Sequence, residues 1–212
     1  MHDSSLTLFA LILALFLLRL LFYAKESRRN QKDETTTDVR NDVFDYTGPV
    51  MRATFATGSF WCAEPVFHEM YGVIDVISYA TELYPTHKEV ATGSTSHREA
   101  VQVIYDPSIV SYNHLLETFW LINPEDEGQF VDRFQYTTAI FYHTIEQEEI
   151  AIHSFEEKDS SDEYDKAIVT EILPYTTFFL AESEHQDFYL KEPIRYERYK
   201  RGSGRGDYFS GR

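Results

Sequence analysis

The chain has 212 residues, of which 43% are hydrophobic and 16% aromatic, and a formal net charge of −16. That length suits one domain with additions, and the negative charge argues against a nucleic-acid partner, since phosphate backbones would repel it. The single cysteine, Cys62, excludes an intramolecular disulfide and a zinc cluster of several cysteines.

Leu6 to Tyr23 is apolar apart from Thr7 and Arg19, close to the roughly 20 residues that span a bilayer. Arg19 stands near the end of the run, where a long side chain snorkels to the interface. Residues 1–24 are therefore expected to form one transmembrane helix. A secretory signal fits less well, because Met1-His2-Asp3-Ser4-Ser5 is not basic and no clear small-residue cleavage site follows. Lys25, Arg28, Arg29 and Lys32 follow the span and Asp3 precedes it, so the rest of the chain is expected on the cytoplasmic side. Residues 25–48 are polar, lack a sustained apolar period and read as a tether.

Residues 49–212 form the expected domain. Met51 to Thr57 reads as a strand running into Gly58 and Ser59, and Phe60 to Tyr71 has helical spacing. Pro65 is tolerable in that helix only in its first turn. Val73 to Tyr79 and Ala100 to Tyr105 are β-branched and aromatic, as strands are. Ser111 is a good cap for a helix over Tyr112 to Leu121. Thr137 to Tyr142, Ile145 to Phe155 and Ala167 to Ile172 read as strand, helix and strand. The order strand, helix, strand, strand, helix, strand predicts an α/β (α+β) domain with a ferredoxin-like split βαβ sandwich. Leu173 to Arg212 is dense in aromatics and predicts an irregular wrap around that core.

A Gly-Ser pair between a strand and a helix places Ser59 at a helix N-terminus, where free N–H groups favour negative charge. Ser59 could equally be only an N-cap. Gly-x-Ser-x-Gly is absent, so a hydrolase elbow is unsupported. Cys62 follows one turn on, on the same helix face, and reads either as a buried small hydrophobe or as a reactive thiol.

Gly58-Ser59-Phe60-Trp61 resembles the Gly-Cys-Phe-Trp signature of the peptide methionine sulfoxide reductase A family. Tyr84-Pro85-Thr86-His87-Lys88-Glu89-Val90 is similar to its Asn-Pro-Thr-Tyr-x-x-Val. Gly93 to Pro107 resembles its Gly-x-Thr-x-His-x-Glu-Ala-Val stretch ending in Tyr-Asp-Pro. Gly128 to Tyr136 resembles its Asp-x-Gly-x-Gln-Tyr loop, and Ala181-Glu182 with His185-Gln186-Asp187 its Ala-Glu-x-x-His-Gln motif. Arg195-Tyr196 through Gly204-Arg205 is similar to a C-terminal extension of one subgroup.

The resemblance implies thiol-dependent reduction of methionine-S-sulfoxide, free or in oxidised proteins, with no bound cofactor, no metal, and an external thiol such as thioredoxin as reductant. It implies that Phe60 and Trp61 line a pocket for the sulfoxide methyl group. Glu99 would bond or protonate the sulfoxide oxygen, Tyr136 would donate a second hydrogen bond, and Asp132 would shape the site. Without the resemblance, Phe60 and Trp61 could be core, Glu99 a surface residue beside a strand, and Tyr136 a strand-entry aromatic.

The sequence departs from the family pattern at Ser59, which occupies the nucleophile position, and at His87, where a second sulfoxide-binding tyrosine is usual. Ser78-Tyr79-Ala80-Thr81-Glu82 replaces a Gly-Tyr-Thr-Gly-Gly turn, the Asp132 loop lacks a glycine, and Thr137 stands where arginine is common. A thiol reduces a sulfoxide by taking its oxygen and becoming a sulfenic acid. A serine oxygen cannot be oxidised in that way, so Cys62 is the only local source of electrons. Cys62 is then a relocated nucleophile, a bystander or a leftover resolver. Two readings follow: an oxidoreductase working through Cys62 or impaired, and a membrane-tethered pseudoenzyme that binds methionine sulfoxide or Met-containing segments without turnover. A deliberate cysteine-to-serine replacement would account for Ser59 but not for His87 and the altered turn.

Overall fold

The computed structural model describes residues 46–81, 97–123, 134–161, 167–176 and 178–203. The expected anchor at 1–24, most of the tether, His87 and Asp132 lie outside the described residues. No helix among the described residues is long and apolar enough to cross a membrane. Residues 46–50 are exposed. Gly48–Arg212 forms one compact unit.

That unit is a mixed α/β fold around a six-stranded sheet. In chain order come β1 (Met51–Ala56), α1 (Phe60–His68), β2 (Val73–Thr81), β3 (Glu99–Tyr105) and α2 (Tyr112–Ile122). They are followed by a 3₁₀ turn (Phe134–Tyr136), β4 (Ala139–Tyr142), α3 (Ile145–Asp159), β5 (Glu171–Pro174), β6 (Phe178–Leu180), α4 (Phe188–Lys191) and α5 (Pro193–Gly202). The strand order is β5-β4-β1-β3-β2-β6. Every described pairing is antiparallel except β4 with β5. The register Phe55↔Val101 between β1 and β3 sets which side chains share a face.

The alternation of side chains along the strands divides the apolar residues between two faces. On one, Ala53, Phe55, Val101, Val103 and Ile140 meet Phe67 of α1, Leu115, Leu116 and Phe119 of α2, and Ala151 of α3. Phe55 stacks on Phe67 at 5.3 Å and meets Phe119 at 5.4 Å between ring centroids. On the other face, Ala56, Ala100, Ala139, Phe141 and Phe178 form a smaller cluster. β3, with partners on both sides, is buried along its whole length.

Several boundaries differ from the sequence reading, each for a local reason. The first helix ends at His68 rather than near Tyr71, because the chain turns through Gly72 at φ +98°. A Cβ on Gly72 would meet Ile109 Cγ2 at 2.7 Å, so only glycine fits. Pro65 lies inside α1, beyond its first turn. It removes the helical hydrogen bond to the Trp61 carbonyl, a loss that the buried packing of Ala63 and Phe67 offsets. β4 starts at Ala139 because Thr137 N–H already bonds the Phe134 carbonyl at 3.0 Å. β5 is Glu171–Pro174 rather than Ala167 to Ile172, since β4 offers partners only from Ala139 to Tyr142. β2 runs through Ala80 and Thr81, where the resemblance implies a glycine turn, because those residues pair with β6.

The C-terminal segment is also more regular than expected. Leu173 and Pro174 end β5, Phe178–Leu180 adds an edge strand to β2, and Pro193 opens a helix that runs to Gly202. Proline at the first helical position has its φ preset for the helix. Only Tyr196 of this helix is buried, so its apolar period was too sparse to read. Gln186 pins the segment: its Oε1 accepts Ser78 N–H at 2.9 Å and its Nε2 donates to the Ser78 carbonyl at 2.7 Å. Asp187 N–H then donates to the buried Glu64 Oε1 at 2.9 Å, which ties α4 to α1.

Candidate active site

β1 delivers the chain to Gly58, whose φ of +80° turns it sharply into α1. Ser59 follows in extended conformation as the N-cap, and its carbonyl accepts Cys62 N–H at 3.0 Å and Ala63 N–H at 3.2 Å. Its hydroxyl makes no capping bond. Its side chain stands close enough to Tyr199 of α5 to influence that phenol. The capping role weighed from the sequence therefore holds for the Ser59 backbone but not for its side chain.

Cys62 lies one turn further and is fully buried, with Tyr196 and Tyr199 close enough to interact with it electrostatically. Both phenols are pushed up well above the ordinary tyrosine range. Burial is the main cause for each; Cys62 comes next for Tyr196 and Tyr136 for Tyr199. They stay neutral and remain hydrogen-bond donors at physiological pH.

Glu99 opens β3 and is 2% exposed. One carboxyl oxygen accepts Phe60 N–H at 3.2 Å and the other accepts Gln135 Nε2 at 3.4 Å. The carboxyl therefore sits against the N-terminus of α1, where an N–H without an intrahelical acceptor points at it. Phe60 is buried and partly exposed Trp61 packs against the same core. Trp61 stacks on Phe188 at 4.0 Å between centroids, meets Tyr199 edge-on at 5.0 Å and lies 5.6 Å from His185. Tyr136 ends the 3₁₀ turn, and its interaction with Tyr199 brings it to the same place.

The structure thus brings together Ser59, Phe60, Trp61, Cys62, Glu99 and Tyr136. His87 and Asp132 lie outside the described residues. Tyr199, Phe188, His185 and Gln135 belong to the same cluster and were not singled out as site residues from the sequence. His185 and Gln135 stand within motifs that were quoted, and Tyr196 and Tyr199 share a helical three-residue spacing that the dense aromatic background hid.

A buried carboxyl, a helix N-terminus and neutral tyrosine hydroxyls against an aromatic wall can hold a small polar oxygen whose carrier is otherwise apolar. Cys62 is the one sulfur among these residues that can change oxidation state by taking up that oxygen.

Comparison with known proteins gives the same direction. The family profile described as peptide methionine sulfoxide reductase matches residues 51–210. The peptide methionine sulfoxide reductase MsrA of Listeria monocytogenes serotype 4b (strain CLIP80459) is 47% identical over 160 residues, 73% of this chain and 90% of that protein. The MsrA of Bacillus subtilis (strain 168) is 44% identical over 164 residues, 74% of this chain and 93% of that protein. Among solved structures, Mxr1 from Saccharomyces cerevisiae in reduced form superposes with a TM-score of 0.62 at 26% identity, covering 73% of this chain and 91% of that one. Methionine sulfoxide reductase A of Corynebacterium diphtheriae gives 0.60 at 28% identity, covering 71% and 78%.

Proposed function

This chain belongs to the peptide methionine sulfoxide reductase A family and is an oxidoreductase, and from that premise we propose that its site recognises methionine-S-sulfoxide and that reduction there runs through Cys62. The carrying observation is the convergence of Glu99, Phe60, Trp61, Tyr136 and Tyr199 on the N-terminus of α1, beside the chain's one thiol. Glu99 and the tyrosine hydroxyls take the sulfoxide oxygen, and Phe60 and Trp61 take the methyl group. The inner strand order β4-β1-β3-β2, with a helix after β1 and after β3, supports reading the core as a ferredoxin-like split βαβ sandwich.

In the proposed step the Cys62 sulfur takes the sulfoxide oxygen, leaving methionine and a sulfenic acid. An external thiol condenses with the sulfenic acid and releases water, and a second thiol frees Cys62 as the external pair becomes a disulfide. A dithiol of the thioredoxin class supplies both equivalents. No second cysteine can close an internal disulfide, so each cycle needs the external reductant. The apolar run at Leu6 to Tyr23 and the basic flank after it support a single-pass anchor with this domain on the cytoplasmic side.

A second reading is favoured by Ser59 at the position where the resemblance puts the thiol, and by the complete burial of Cys62. In it the site binds the sulfoxide and does not turn over. A single-turnover assay without added reductant, reading methionine product and the Cys62 oxidation state together, separates the two. Turnover through Cys62 gives matched methionine and oxidised Cys62, abolished by Cys62→Ser, and Ser59→Cys raises the rate by restoring a thiol at the helix N-terminus. Stoichiometric methionine from the Cys62→Ser protein would overturn the electron argument, and no product from the unsubstituted chain would establish the second reading.

A further inference from the structure

The 3₁₀ turn that carries Tyr136 is fastened to β3 from two directions. On one side the buried Arg98 guanidinium donates from Nε to Thr137 Oγ1 at 2.6 Å, pairs with Glu171, and lies over the Phe134 ring at 4.9 Å from its centroid. On the other, Gln135 reaches inward and donates to Glu99 Oε1 at 3.4 Å. Gln135 is 1% exposed, and its Oε1 is buried with no hydrogen-bond partner among the described residues.

Burying an amide with half its bonding capacity unused is costly. The Phe60 N–H on the other carboxyl oxygen can only donate. A glutamine amide is different: it offers N–H to a carboxylate and, turned over, offers C=O to the O–H of a carboxylic acid. Gln135 is therefore a neighbour able to bond the Glu99 carboxyl whether or not that carboxyl carries a proton. Its own backbone is held by the Arg98 clamp, so the amide approaches Glu99 from a fixed base.

We propose that Gln135 is the positioning residue for Glu99, keeping its carboxyl against the N-terminus of α1 and thereby setting the preference of the site for a sulfoxide over the corresponding thioether. This rests on the function proposed above.

The test uses the full chain in mild detergent, labelled with ¹⁵N-phenylalanine, with N-acetyl-methionine S-sulfoxide and its thioether as probes. Gln135→Met should loosen the Glu99 carboxyl, moving the Phe60 amide proton upfield. Sulfoxide affinity should fall about 5- to 10-fold, the size of one hydrogen bond, with thioether affinity unchanged. In Glu99→Gln the same Gln135→Met change should add little, because the two residues act as a unit. Gln135→Asn, which draws the amide back by one methylene, should repeat the loss and carries the test if Gln135→Met fails to fold. An unmoved Phe60 amide, an equal loss of thioether affinity, or additive losses in the double variant would each overturn the proposal. If the unsubstituted chain does not prefer the sulfoxide although the Phe60 amide responds, the proposed function falls and takes this role in discrimination with it. If that chain prefers the sulfoxide and the Phe60 amide does not respond, the positioning role alone falls.

Discussion

His143, just after β4, is half-buried, and its pKa is pushed down from 6.5 to about 4 by desolvation and then by the charge of Arg52. Its Nε2 lies 2.8 Å from Thr54 Oγ1, and Tyr175 stacks on its ring at 4.1 Å between centroids. Gln102 Nε2 donates to the same Thr54 hydroxyl at 3.3 Å, which leaves the hydroxyl proton free to point at the ring. Because the folded pKa lies below the unfolded one, the unfolded chain binds the extra proton between pH 6.5 and about 4. Stability should therefore fall as pH drops through that window, by up to about 3 kcal/mol. Thermal unfolding from pH 7 to pH 4 should show this slope reduced in His143→Gln, and an unchanged slope would contradict the assignment. Within the site, Glu99→Gln should weaken binding of the S-sulfoxide while sparing the fold, since an amide can still accept Phe60 N–H. Trp61→Ala should weaken it too, with a stability cost of roughly 3–5 kcal/mol from the lost stacking on Phe188. Isothermal titration with both sulfoxide epimers checks this, and equal affinity of the folded, unsubstituted chain for the two epimers would remove the proposed recognition.

Among the elements, α5 is the one expected to limit access to the thiol. Tyr196 and Tyr199 both interact with Cys62, which is fully buried. A maleimide should therefore react with Cys62 only when this region opens, far more slowly than with a free thiol. Tyr199→Ala removes the contact with Ser59 and the edge of Trp61, and should raise the alkylation rate about tenfold or more, as a lost local opening free energy of 1–2 kcal/mol would do. Equal rates in the two proteins would mean that α5 does not guard the thiol. At α2, Ser111 accepts His114 N–H at 3.2 Å, a cap that was legible beforehand. Ser111→Ala should cost about 1 kcal/mol in a denaturant titration.

For the whole molecule, the N-terminal run and the basic flank after it predict membrane attachment that survives high-salt and carbonate washing. Protease added outside intact cells should leave the domain untouched, and removal of the residues before Thr47 should release a soluble, folded domain. Recovery of the full chain without detergent would refute the anchor. The sequence by itself carried the order of strands and helices through β5, with only the bounds of β5 displaced, because alternation and helical spacing are local properties that survive without neighbours. It also carried Ser59, Phe60, Trp61, Glu99 and Tyr136, since those residues stand inside short ordered motifs. The regular C-terminal helix was hidden because a helix that buries little more than Tyr196 shows almost no period. Tyr199, Gln135 and the Arg98 clamp were hidden for a related reason: their partners are distant in the chain, 39 positions away for Arg98 and Thr137 and 36 for Gln135 and Glu99. Only the sheet register, which sets β3 beside β1 and brings the 134–136 turn back over the start of α1, decided that Glu99 would face Phe60 and that a glutamine would stand behind it. Local sequence chooses the elements. The pairing order of the sheet chooses which side chains meet, because contacts between distant residues depend on the packing of every element between them.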